Sequence, residues 1–386
     1  ASGGIFLTQY FGAKQREGMR QSVAFKVVAS LSTCIFYFLA TFVFTRPVLS
    51  LMVIGNSQAD LILDEGQKYM YLMGFIGIQM MISSILSSSY REIGRVRVIL
   101  VITLIAAGSN AFLNWVFIYG HLGMPRLEVE GAAYATIIAK TVEMLLLIGY
   151  TIKERPEFIS FSVFKRIDWA LFGRILKKGS LLIISQMMWV LSESFTAAIY
   201  NGRGNAAVVS GMAASFSIAN LFFISFDGIT TATGVLIGKS LGRNELDDAR
   251  KEKTWMLSAA IIFGCIMCLV GVVTVLLVPV VFGNLSIDAQ NICRAMLLLM
   301  ALFMPLWIYV NTQLAVCRAG GDTKVGFLVD GGTTAVMIPM LLILAFFTNA
   351  SPVMMYFGVK ALDVGKIIVA THEMKKERWV VNLSNA

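Results

Sequence analysis

The chain has 386 residues, 57% of them hydrophobic and 14% charged, with a mean hydropathy of +0.75. A soluble domain carries about 25% charged residues, so these proportions exclude an ordinary water-soluble fold and predict a membrane protein. The formal net charge of +9 would point to nucleic acid in a soluble chain, but here the cations cluster between apolar runs and no nucleic-acid partner is expected.

Apolar runs of about twenty residues cross a bilayer as helices. In chain order they fall at 26–45, 69–90, 98–120, 131–152, 179–200, 212–238, 255–282, 295–317, 325–347 and 352–371. A run at 3–12 precedes them and is too short to cross. Alternate loops collect the cations: Lys14, Arg16, Arg20 and Lys26, then Arg91, Arg95 and Arg97, then the stretch from Lys153 to Lys178, then Lys239 to Lys253, then Arg318 and Lys324, and last Lys375, Lys376 and Arg378. The opposite loops hold only Arg46, Lys68, Arg126, Arg203 and Arg294. The positive-inside rule places the first set and the C-terminus in the cytoplasm. Between the fourth and fifth spans, 158–178 mixes basic and apolar residues at helical spacing, which predicts an interfacial linker helix.

The Gly238-Lys239-Ser240 triplet has the look of a phosphate-binding loop. That loop needs four residues between its first glycine and the Gly-Lys-Ser, and only three separate Gly234 from Gly238. A repeat explains the stretch better. Aligning Gly12 with Gly242 brings Arg91 over Arg318, in "SSSYREIGRVRV" and "LAVCRAGGDTKV", and 152–156 over 375–379. The matched loops are all cytoplasmic, so the halves share one orientation, a parallel repeat about the membrane normal. The predicted fold is all-α integral membrane, with two six-helix lobes related by a parallel pseudo-two-fold repeat and the first lobe truncated at its N-terminus. The lobes are expected at 1–157 (the remnant of a second span plus four spans) and 179–386 (six spans), joined by the 158–178 linker.

"TQYFGAKQREGMRQ", "CRAGGDTKVGFLVDGG" and the pattern Gly-x-Pro-x-Leu-x-Val-x-Gly-Ala-Ala-x-Ala-Thr from Gly123 to Thr136 resemble the multidrug and toxic-compound extrusion (MATE) family. The likeness covers nearly the whole chain. It implies a secondary antiporter that exports drugs or organic cations in exchange for protons or sodium, rocking two lobes about a central cleft in a bacterial cytoplasmic membrane. Small-molecule cargo and membrane lipid are the partners it implies, with no cofactor and no obligatory protein partner. A flippase for lipid-linked sugars or cell-wall precursors, from the same superfamily, is the alternative and would need a cationic cleft.

Ionisable groups within a span are costly and are functional candidates; here they are Lys140, Glu143, Glu193, Asp227, Asp330, Lys360, Asp363 and Lys366. Glu193 leads, because Gln186 and Val190 share its face at helical spacing. Its carboxylate could exchange protons or hold sodium and a cationic drug; the competing reading is a bond to a neighbouring helix. Family members often carry the acid of this helix at the place of Gln186, two turns earlier. Asp227 precedes Thr230, Thr231 and Thr233, which could complete an oxygen-rich cation site or back-bond to their own helix. Asp330 lies six residues beyond Lys324 and could instead bridge to it. Asn110 and Asn114 share a face, and some proton-coupled relatives have an acid at the second position. Asn311 and Gln313 are polar positions in the second half. The pairs Lys140–Glu143 and Asp363–Lys366 are spaced to neutralise each other locally. No enzyme is expected, since His121 and His372 sit at span ends. Cys265-x-x-Cys268 lies mid-span and reads as packing rather than a metal or redox pair.

Overall fold

A computed structural model describes residues 2–50, 59–203, 206–348 and 350–385. Among them the regular structure is helical throughout: α1 (Ser2–Gly12), α2 (Arg16–Phe38), α3 (Thr45–Ser50), α4 (Ala59–Gly74), α5 (Ile76–Glu92), α6 (Val96–Tyr119), α7 (Glu128–Glu154), α8 (Trp169–Arg203), α9 (Ala206–Gly242), α10 (Leu246–Val281), α11 (Ile287–Ala319), α12 (Lys324–Phe347), α13 (Pro352–Ala361) and α14 (Asp363–Lys375). Eight described helices are long and apolar enough to cross a membrane, or nine if α4 and α5 count as one span. The run at 69–90 is therefore broken, with its two helical parts meeting at 46° around Phe75.

Three elements differ from the expectation, because hydropathy locates apolar residues but does not show where backbone hydrogen bonding extends a helix through charged residues or interrupts one. The first span starts at Arg16 and runs through a π-helical turn at Leu39–Val43. Its Lys26 is buried and ion-paired with Glu92, with further bonds to Ser88 and Ser89, so it is not a loop cation. The segment 158–178 is not one helix. It holds a short 3₁₀ turn at Phe161–Lys165, after which α8 starts at Trp169, where the Asp168 carboxylate accepts the Leu171 N–H at 3.0 Å. The run at 352–371 is likewise two helices, α13 and α14, meeting at Leu362.

The helices gather into two compact units: Arg16–Phe172, and Ala1–Gln15 together with Gly173–Ala386. In the first, Gly131 explains part of the Gly-Ala-Ala motif. A Cβ there would stand 2.7 Å from the Phe117 carbonyl oxygen, so only glycine lets α7 lie against the end of α6. Tyr90 is fully buried and donates to Thr151 at 3.1 Å, tying α5 to α7.

In the second unit α1 lies against α9. The two glycines that the repeat superposes sit at this crossing: a Cβ on Gly12 would be 2.3 Å from the Lys239 carbonyl oxygen, and one on Gly242 would be 2.0 Å from that of Gln9. Each glycine thus admits the other helix's backbone. Small residues let helices approach in this way when lipid supplies no hydrophobic drive, and Gly264 and Gly271 of α10 do the same toward Pro305 and Ala301 of α11. The tail closes the structure here. Buried Gln9 donates to the carbonyls of Ala319 (2.7 Å) and Val381 (3.3 Å) and accepts the Leu383 N–H at 2.6 Å. Trp379 is buried against Gly320, and Glu377 pairs with Arg250 at 2.9 Å. The hydrogen bonds from that guanidinium hold the Glu377 carboxyl below the usual carboxylate range.

Candidate functional site

The second unit contains a cavity of about 680 Å³ walled by α8, α9, α11, α12, α13 and α14. Five of the seven predicted site residues line it: Gln186, Glu193, Asp227, Asn311 and Asp330. Asn110 and Asn114 lie in the other unit, where Asn114 donates to Asn110 at 3.0 Å and Asn110 to Thr136 at 3.5 Å. They form a polar step between α6 and α7.

Glu193 is not a lone carboxylate. Lys360 of α13 donates to it at 2.6 Å, and the pair stays partly open to the cavity, with side-chain exposures of 30% for Glu193 and 13% for Lys360. Because α8 begins at Trp169, Glu193 lies about 36 Å along that helix at 1.5 Å per residue, further from the start than a helix opening at 179 implies. The Lys360 ammonium also lies 5.4 Å from the Tyr356 ring centre and 5.7 Å from that of Trp307. Both are within cation–π range. Trp307 in turn donates its indole N–H to Asp363 at 2.8 Å, and the other oxygen of Asp363 pairs with Lys366 at 3.1 Å. The Asp363–Lys366 couple is thus the local pair that its spacing predicts, and it also faces the cavity. Lys140 and Glu143 pair at 2.8 Å in the first unit.

Asp330 accepts a hydrogen bond from Ser185 of α8 and interacts electrostatically with Arg318, with no ion pair between them. The alternative bridge from Asp330 to Lys324 is not formed. Arg318, counted from sequence among the loop cations, is instead part of the cavity wall. Asp227 is exposed on the wall and has no hydrogen bond among the described residues. Thr233 back-bonds to the Ile229 carbonyl at 2.7 Å, and none of Thr230, Thr231 and Thr233 lines the cavity, so no oxygen cage surrounds Asp227. Asn311 donates to the Trp307 carbonyl of its own helix at 2.9 Å, and buried Gln313 donates to Thr371 at 2.7 Å behind the wall.

The wall therefore carries the carboxylates of Glu193, Asp227, Asp330 and Asp363 against the cations Arg318, Lys360 and Lys366. Two pairs cancel directly, Arg318 offsets Asp330, and Asp227 remains as the uncompensated charge. With Trp189, Phe216, Phe223, Trp307 and Tyr356 around it, the cavity suits an apolar body bearing one positive charge. Sequence reading did not find the Glu193–Lys360 bond or the part of Trp307. The one available signal was Lys360 itself, three residues before Asp363 and inside a span.

The MatE family model matches residues 2–116 and 182–351. This chain belongs to the MatE family. MATE relatives span it end to end. It is 26% identical over 291 residues to a probable multidrug resistance protein NorM of Mesorhizobium japonicum, a match covering 72% of this chain and 61% of the relative. A NorM protein of the same description from Listeria innocua is 23% identical, covering 98% of this chain and 83% of the relative. Matches to NorM proteins such as that of Listeria monocytogenes serovar 1/2a span 56% of the relative's length. Among solved structures, an outward-facing multidrug resistance MATE transporter of the MOP superfamily superposes with a TM-score of 0.80 at 16% identity, covering 98% of this chain and 82% of that one. A MOP superfamily transporter from Pyrococcus furiosus, described as having a binding pocket of reverse polarity, superposes with a TM-score of 0.79 at 16% identity, covering 96% and 80%. The chain is thus a multi-span membrane protein with the all-helical MATE fold, and the predicted two-lobe repeat is consistent with that fold.

Proposed function

We propose that the protein exports organic cations, drugs among them, in exchange for protons or sodium by alternating access. The observation that carries this reading is the acidic, ring-lined cavity of the second unit, where Glu193 is held by a lysine and Asp227 by none of the described residues. A carboxylate on an apolar, ring-lined wall is screened less than one in bulk water and attracts a cation accordingly. Protons, sodium and an organic ammonium all compete for it, and such competition is the thermodynamic basis of antiport. The description of the NorM relatives as multidrug resistance proteins supports a broad cargo range.

The flippase alternative draws on Arg318, Lys360 and Lys366, which put positive charge on the wall. Lys360 and Lys366 are each paired with a carboxylate and Arg318 interacts electrostatically with Asp330, which leaves a phosphate little unbalanced positive charge among the described residues. Proteoliposomes loaded with a fluorescent cationic dye test the choice. Dye export that stops when either the proton or the sodium gradient is collapsed, and persists when the other is, supports the proposal. Indifference to both gradients contradicts it.

Asp227 gives a milder test of the same site. Asp227→Asn should weaken organic-cation binding about two- to fivefold, as befits a solvated charge contact, and should leave thermal stability unchanged. A lowered melting temperature would instead make Asp227 a packing residue.

The loop charges assign orientation in a bacterial cytoplasmic membrane, with a cytoplasmic C-terminus. Single cysteines at Lys14, Lys165 and Lys375 should all react with a membrane-impermeant maleimide only from the cytoplasmic side. Labelling of any one from outside would overturn this orientation.

A further inference from the structure

Within the cavity the Lys360 ammonium occupies a compartment built to hold an ammonium. Its floor is the Glu193 carboxylate at 2.6 Å, and two of its sides are the rings of Tyr356 and Trp307 at 5.4 and 5.7 Å. Aromatic faces around a carboxylate are how proteins recognise tertiary and quaternary ammonium groups. Here the occupant is tethered, and the compartment opens on the space that cargo must enter.

Resting on the organic-cation reading above, we infer that Lys360 is an internal competitor for the cargo site. A monocation with an apolar body binds by displacing the lysine from Glu193, and the lysine returns when the cargo leaves. Three observations support this. Glu193 is the more exposed member of the pair at 30%, so cargo reaches the carboxylate without unfolding the wall. Lys360 stands in the last turn of α13, one residue before its end at Ala361, and the helix gives way at Leu362 between Lys360 and Asp363. A second carboxylate, Asp363, lies three residues along and already interacts electrostatically with Lys360. It holds Lys366 on one oxygen and the Trp307 N–H on the other, and a carboxylate with about four lone-pair sites has room for another ammonium. The lysine thus has two anionic seats, and moving between them keeps its charge paired while Glu193 is handed to the cargo.

A lysine that only braces α13 against α8 and one that competes with cargo give opposite results when removed. The test is equilibrium binding of tetraphenylphosphonium to purified protein at fixed pH and salt. Lys360→Met should bind it roughly fivefold or more tightly, the scale of a modest coupling between two ligands, and Lys360→Arg should stay near the parent because it retains the competitor. Lys360→Gln, which can still donate to Glu193, carries the same expectation as the methionine variant should that one fail to fold. Unchanged or weaker binding by a folded Lys360→Met or Lys360→Gln protein, with the parent binding normally, overturns the displaced-lysine inference alone. Failure of parent and variants alike to bind the cation overturns the organic-cation reading beneath it.

Discussion

Glu193→Gln should reduce ion-driven export of a cationic dye by about tenfold or more at normal membrane abundance. The substitution keeps the size and hydrogen-bonding capacity of the side chain but removes its charge, and so it acts on two partners. Lys360, 2.6 Å away, loses its counter-ion inside the membrane. Breaking a buried pair by removing one partner costs about 3–5 kcal/mol in soluble proteins. At 30% exposure Glu193 belongs at or below the low end of that range. Coupling suffers more directly, since a neutral amide cannot take up a proton and, without charge, holds sodium more weakly than a carboxylate, and tenfold corresponds to only about 1.4 kcal/mol. The double variant Glu193→Gln/Lys360→Gln separates the two effects. It should recover the stability lost by the single change while remaining defective in coupled export. Wild-type export by well-expressed Glu193→Gln protein would remove Glu193 from the mechanism and leave Asp227 as the carboxylate to pursue.

Gly242→Ala should lower thermal stability in detergent more than any other glycine-to-alanine change on α9. Its new Cβ would meet the Gln9 carbonyl oxygen at 2.0 Å, a backbone atom that cannot rotate away. Overpacking of this kind costs about 1–3 kcal/mol, occasionally more. The displaced segment is also the one whose Gln9 side chain clasps the tail through Val381 and Leu383. Gly234 on the same helix is the control, because nothing lies within 4 Å of a Cβ built there. Alanine at that position should be neutral, or stabilising by up to about 1 kcal/mol through helix propensity. Equal melting temperatures for the two variants would show that α1 and α9 do not cross through these glycines.

That crossing shows what was legible in the chain beforehand. The repeat paired Gly12 with Gly242 by alignment alone, and in space each faces the other's helix. Span positions were readable for a related reason, since hydropathy over twenty residues reports directly on burial in lipid. Helix ends were less readable. α2 and α8 begin about ten residues before their apolar runs, carried through arginines and lysines by hydrogen bonding that hydropathy does not see. The breaks at Phe75 and Leu362 lie within apolar runs and left no compositional mark.

The site divides along the same line. Intramembrane charge singled out Glu193, Asp227 and Asp330, and local spacing singled out Asp363 with Lys366. The bond from Glu193 to Lys360 joins residues 167 apart, and nothing in either neighbourhood specifies the other. Arg318 was read as a loop cation because it follows the end of an apolar run, yet α11 continues past it to Ala319 and the residue lines the cavity. Partner identity depends on how helices pack, and one sequence records that only where the partners share a helix.

We propose that cargo and coupling ion compete for the carboxylates of one cavity. Ion release on cargo binding tests it most directly. Purified protein at low buffer strength is titrated with tetraphenylphosphonium while proton release is followed by a pH indicator and sodium release by a sodium-selective electrode. One of these ions should be released in proportion to cation bound, and that release should be lost in Glu193→Gln. Saturable cation binding with neither ion released would contradict it.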